Sequence, residues 1–182
     1  MNGRKAAGMV SIAIGRNAGN FDRIRDTAGE VFLIKSRRLE EAVAALEPEA
    51  AQDARLLCIT RTFPEKLNTP ISFGSTEHYW LTNLVGDRRI APASLSRILS
   101  IVRSQVESGR RLVILIEGIE YLILENDFSS VLKALNQLCD IALNTSSHVF
   151  ISVDPVALSQ REIAMIERTC SANTIVDEED QF

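Results

Sequence analysis

The chain has 182 residues, 46% of them apolar and 24% charged, enough to bury one ordinary core without metals or disulfides. Its net charge of −4 and isoelectric point near 5.3 argue against a nucleic-acid binder, which generally turns a basic face to phosphate. Three widely spaced cysteines (Cys58, Cys139, Cys170), no C-x-x-C pair and two histidines form neither a disulfide framework nor a zinc site, and fit a reducing compartment.

Residues 1–28 read as a leader, loosely ordered or adding an extra edge strand, with residues 9–14 as the strand candidate. The leader holds five basic and two acidic residues and is locally positive. Gly8, Ser11 and Gly15 interrupt its apolar stretch, so it makes a poor export signal, and no run in the chain approaches the ~20 apolar residues of a membrane span. The expectation is a cytoplasmic protein.

A single domain is expected over residues 29–176. Residues 31–34, VFLI, read as a strand. Leu39, Ala42, Val43 and Leu46 then recur at helical spacing, with Ser36 placed to cap the helix. Residues 56–59 form a second strand, and 64–67 a turn or short helix. Residues 69–90 show no period and read as a loop with short extended pieces, carrying His78 and the lone tryptophan, Trp80. Pro92 opens a helix whose face holds Leu95, Ile98, Leu99, Val102 and Val106 and which Gly109 ends. Residues 112–116 are the third strand. Asn126 or Asp127 caps the next helix, striped by Phe128, Val131, Leu132, Leu135, Leu138 and Ala142. A fourth strand at 149–153, a helix at 158–169, a fifth strand at 173–176 and an acidic tail at 177–182 complete the chain.

Strands apolar throughout, alternating with helices, predict a three-layer αβα fold around a mainly parallel sheet of five strands. Ligands of such sheets bind beyond the carboxyl ends of the strands. That rule selects Lys35-Ser36, Thr60-Arg61, Glu117-Gly118 and Asp154-Pro155. The buried strand LVILI running into Glu117 has the form of a magnesium-holding strand of a nucleotide hydrolase. Its partner would be G-x-x-x-x-G-K-[ST] after the first strand. VFLIKSRRLEEA stands there, with Lys35 and Ser36 but without the glycines or a loop of sufficient length. Lys35-Ser36 is therefore at most a vestigial phosphate site, and otherwise exposed charge on a turn.

Arg61 among Glu117, Glu120 and Asp154 has two readings: an ion-pair network locking the sheet's rim, or the remnant of a pocket for a ligand or partner. The aromatic cluster around His78 and Trp80 could form a partner contact or plug the core under a loop. No G-x-S-x-G elbow supports a hydrolase.

Several spaced motifs together carry a resemblance: ITRTFP at 59–64, Trp80-Leu81, IAPASL at 90–95, VILIEGIEYLILENDF at 113–128 and SVDPVAL at 152–158. Over roughly residues 29–170 the chain resembles the archaeal family known as domain of unknown function 835. That family is similar to RecA- and KaiC-like ATPases with the phosphate loop lost, and is seen alone or fused to sensory modules. The resemblance implies a degenerate RecA-like core in a signalling setting. In active RecA-like enzymes a glutamate base stands near the end of the second core strand. Here that place reads Thr60-Arg61, and an arginine stays charged and takes no proton from water. With loop and base both missing, no ATP hydrolysis and no cofactor are expected. The function expected is a non-catalytic regulatory or sensory module acting on a protein partner in trans, with a homo-oligomer plausible by analogy. The alternatives are a nucleotide-binding protein using Lys35, Ser36 and Glu117, and a DNA-associated regulator using the basic leader with Arg37-Arg38.

Overall fold

The computed structural model describes residues 13–14, 29–63, 65, 72–106 and 111–176. The rest of the leader, the turn expected at 64–67 apart from residue 65, Gly109 and the acidic tail lie outside the described residues. The strands are β1 (Ala13–Ile14), β2 (Glu30–Lys35), β3 (Arg55–Thr60), β4 (Ser75–Leu81), β5 (Arg89–Ile90), β6 (Leu112–Ile116), β7 (His148–Val153) and β8 (Asn173–Val176). The helices are α1 (Leu39–Ala44), α2 (Leu95–Val106), α3 (Ile119–Glu125), α4 (Phe128–Leu143) and α5 (Gln160–Cys170), with a 3-10 turn at Glu47–Glu49.

All eight strands join one sheet in the order β1-β8-β2-β7-β6-β3-β4-β5. Every pairing is parallel except β1 against β8. The mainly parallel α/β sheet is thus as expected, but the count of five strands is too low. The largest omission is β4, within residues read from sequence as a loop with short extended pieces, which pairs in register with β3 (Cys58 opposite His78, Thr60 opposite Trp80). Among the described residues only the two-residue β5 lies outside β4, so most of its side chains stay partly exposed and S-T-E-H-Y-W-L needs no apolar run. Edge strands tolerate such polarity where central ones do not.

The central strands are apolar at every position because both sheet faces are covered. Val31, Leu33, Leu57, Ile59, Ile114, Ile116 and Ile151 point into one core with α2, α3, α4 and α5. Phe32, Ile34, Leu56, Cys58, Val113, Leu115 and Phe150 point into a second, smaller core under α1. Chain direction explains the inequality. The link from β2 to β3 moves across the sheet one way, whereas those into β6, β7 and β8 move the other way. Right-handed crossovers then place α1 on one face and the remaining helices on the opposite face.

Two local expectations need correction. Ser36 does not cap α1: the N-cap is Arg38, without a side-chain bond, and Ser36 instead accepts from the Arg38 N–H at 3.0 Å. Between Asn126 and Asp127, the cap of α4 is Asp127, which accepts from the Ser130 N–H at 2.8 Å. The hydroxyl and N–H of Ser130 hold the Asp127 carboxyl below the usual aspartate range. Asn126 ends α3, a helix not foreseen from sequence, and its amide donates to the carbonyls of Pro92 (3.0 Å) and Leu122 (2.8 Å). It fastens α3 to the turn that opens α2. Asn126→Ala is expected to cost about 1–2 kcal/mol through the two lost bonds, read as a lowered urea midpoint.

Candidate functional site at the carboxyl edge of the sheet

Helices following β2 and β7 lie on opposite faces, so the neighbouring carboxyl ends of these two strands form the switch point where open α/β sheets bind ligands. The chain itself closes that point. The Ser36 N–H continues the ladder to the Val153 carbonyl at 3.0 Å. The Ser36 hydroxyl, buried, contacts the Arg38 carbonyl and the Glu41 carboxylate. Lys35 Nζ lies 2.7 Å from Glu167 Oε1 on α5. The lysine amine and the Thr174 hydroxyl, both bonded to Glu167, hold that carboxyl below the usual range despite partial burial. Three residues, Ser36 to Arg38, join β2 to α1, too few to wrap a phosphate.

Glu117, at the end of the all-buried β6, points across to the neighbouring strand. Its Oε2 accepts from the backbone N–H groups of Arg61 (2.9 Å) and Thr62 (3.0 Å). A carboxylate holding two successive N–H groups is a strong fastening for a turn. Gly118 follows at φ 95°, and a Cβ built there would stand 2.7 Å from the Cβ of Arg61, so only glycine lets the two turns approach.

The ion-pair rim expected from Arg61, Glu117, Glu120 and Asp154 takes a different form. Among the described residues Arg61 makes no ion pair with these acids. Its guanidinium lies 4.5 Å from the centre of the Tyr121 ring and donates to the Leu81 carbonyl at 3.3 Å. Glu117 reaches the backbone of Arg61 rather than its side chain, because the carboxylate leaves β6 level with the turn that ends β3. Glu120 Oε1 accepts from the Asp154 N–H at 2.6 Å and joins α3 to the end of β7. Burial raises the Glu120 pKa above the ordinary value, and the charges of Glu117 and Asp154 push the same way. Asp154 Oδ1 in turn accepts from the Val156 N–H at 2.8 Å and shapes the turn into α5.

His78 and Trp80 lie on β4 rather than in a loop. Trp80 Nε1 donates to the Arg61 carbonyl at 2.9 Å, and its ring meets Phe63 edge-on at 4.9 Å. His78 Nε2 lies 2.6 Å from the Thr60 hydroxyl, which also contacts the Thr62 carbonyl at 2.8 Å. Burial lowers the His78 pKa from 6.5 to about 4. The neutral ring is therefore the folded form at neutral pH. As pH falls from about 6.5 to about 4, the unfolded chain takes up a proton that the folded chain refuses, so stability declines across that window and the loss is complete below it. His78→Gln is expected to show a shallower decline between these values, measured as thermal midpoint against pH.

The arrangement not foreseen from sequence sits at the opposite, amino end of the strands. Glu49, 2% exposed, pairs with His148 Nδ1 at 2.9 Å and with Arg111. His148 opens β7, and Arg111 precedes β6. Glu49 sits in E-P-E-A-A-Q, which has the composition of a surface turn, so no local signal marks it as buried. Among the described residues no group of three or more His, Cys, Asp or Glu side chains is placed to hold a metal ion, and no helix is long and apolar enough to cross a membrane.

The chain is similar over 84% of its length, and 84% of the other chain, to a solved structure from Pyrococcus horikoshii OT3, described as project PH0250, at 15% identity and a TM-score of 0.50. The cytoplasmic domain of the type VII secretion ATPase EccC of Thermomonospora curvata matches 81% of the chain but only 20% of its own length, at 11% identity and a TM-score of 0.46. No curated protein matches the sequence. The model of a protein family of unknown function, DUF835, matches residues 35–170, and the chain belongs to that family.

Proposed function

We propose that the protein is a non-catalytic regulatory or sensory module of archaeal signalling, built on a RecA-like sheet without a phosphate loop and acting by contact with another protein. The observation that carries this reading is the state of the three groups a nucleotide would need. Lys35 is paired with Glu167, the Ser36 hydroxyl with Arg38 and Glu41, and the Glu117 carboxylate with the N–H groups of Arg61 and Thr62. Each would have to be released before it could touch phosphate or magnesium. The turns that follow β3, β4 and β7 leave Phe63, Leu84, Val85 and Val156 exposed.

Calorimetric titration with ATP and with GTP, each with magnesium, tests the reading. No heat is expected up to millimolar nucleotide. Micromolar binding that disappears in folded Lys35→Ala and Glu117→Ala variants would overturn it in favour of a nucleotide-gated switch.

A further inference from the structure

Two of the three cysteines meet in the larger core. Cys139 stands on the buried stripe of α4 with Leu135, Leu138 and Ala142, and Cys170 ends the buried stripe of α5 after Ile163 and Ile166. The two helices pack on one another, and both thiol side chains are 1% exposed. Across this interface the Cys139 thiol donates a hydrogen bond to the Cys170 sulfur. Cys58 lies apart from them, in the smaller core on the opposite face of the sheet, where burial pushes its thiol up to about 12.

A core contact between helices asks only for volume, and an aliphatic side chain supplies it without a reactive atom. Two thiols in contact supply more, because sulfurs held together across packed helices can bond without unfolding either helix. Their hydrogen bond also sets an order of reaction. It holds the Cys170 thiol below its ordinary value and pushes that of Cys139 up, while burial and the Asp140 charge oppose the ionisation of both. Cys170 is therefore the first of the pair to ionise. It is also the one at a helix end: it is the last residue of α5, and Ser171, which follows in a left-handed conformation at φ 48°, is exposed. Helix ends open locally at far less cost than the whole fold. A small oxidant can reach Cys170 when that last turn frays.

We propose that Cys139 and Cys170 form a redox site, two thiols that hydrogen peroxide closes into an intramolecular disulfide. The Cys170 thiolate attacks one peroxide oxygen and the O–O bond breaks. The departing hydroxide takes up the proton that the thiol released and becomes water, leaving a sulfenic acid on Cys170. The Cys139 sulfur then attacks the Cys170 sulfur. Its proton goes to the displaced hydroxyl, which leaves as a second water. Two thiols and one peroxide thus give one disulfide and two waters. The bond ties the end of α5 to α4, just ahead of β8, whose Thr174 is already bonded to Glu167 of α5. The inference goes beyond the protein-contact reading and does not depend on it.

Thiol titration in denaturant, before and after hydrogen peroxide treatment of the folded, reduced chain, tests the site, with peptide mapping under non-reducing conditions to locate the bond. The three thiols should fall to one, with Cys139 and Cys170 joined within one molecule, and dithiothreitol should restore all three. Cys139→Ser and Cys170→Ser should each abolish the cross-link, and Cys58→Ala should leave it intact. The map of the unaltered chain decides the matter even if serine in the core unfolds a variant. Three thiols that survive the peroxide, oxidation of Cys170 to a sulfinic acid without a cross-link, a bond between two molecules, or a bond that includes Cys58 would each overturn the inference.

Discussion

Glu49→Ala is expected to lower stability by about 3–5 kcal/mol, the usual penalty for removing one partner of a buried ionic cluster. Glu49 and His148 are each 2% exposed, and both Arg111 and His148 direct their polar atoms at the same carboxylate. Alanine would leave the imidazole without that partner in a site closed to water and would withdraw the acceptor from the guanidinium. It would also detach the 3-10 turn from the amino ends of β6 and β7, at the side of the smaller core, where Phe32 stacks on Phe150 at 4.7 Å and meets His148 edge-on. Glu49→Gln keeps the shape and one acceptor and should cost distinctly less. Urea unfolding of the three proteins separates the charge from the hydrogen bond, provided the denaturant slope is unchanged.

The second large effect is expected at Gly118. Its φ of 95° is strained for any residue with a Cβ, and that Cβ would meet the Cβ of Arg61 at 2.7 Å, too near the backbone for a rotamer change to relieve. Backbone strain and overpacking together suggest a loss of about 2–4 kcal/mol for Gly118→Ala. The substitution has a local signature as well. Displacing Arg61 pulls its carbonyl from Trp80 Nε1 and its guanidinium from the Tyr121 ring. Trp80 is the one tryptophan in the chain, so its emission should move to the red in folded Gly118→Ala protein. An unshifted spectrum with unchanged stability would contradict this account of the turn.

How legible these features were depended on the range of the interactions behind them. β6 was readable to the residue, because LVILI is buried on both faces and bounded by charge. β8 was equally readable. α3 was not, since seven residues after a buried strand supply barely two turns of periodicity, and Ile119, Leu122 and Ile123 pass for continued strand packing. β4 is not legible locally because its ladder partner, β3, makes it a strand and its own composition does not. A local signal was available for α5: Ser159 and Glu162 form a reciprocal capping box, S-x-x-E, that marks its start. At the candidate site the strand-end rule pointed to Lys35, Arg61, Glu117 and Asp154. What each holds could not be read, because acids at strand ends can bind side chains or the backbone of the next turn, and only the lateral order of strands decides between them. Glu49 shows the same limit, its partners standing 62 and 99 positions away.

The lateral order has a consequence for the chain as it leaves the ribosome. β2 is among the first strands to emerge, yet its two neighbours, β7 and β8, are drawn from residues 148–176. Until those are translated, Glu30–Lys35 has no lattice of hydrogen bonds on either side, and its apolar VFLI is free to pair with the same segment of another nascent chain. Parallel sheets closed by late, distant strands fold slowly and spend longest in this vulnerable condition. A message truncated before residue 148 should therefore yield aggregate rather than a smaller soluble domain, and β2 is the segment in which that aggregation begins.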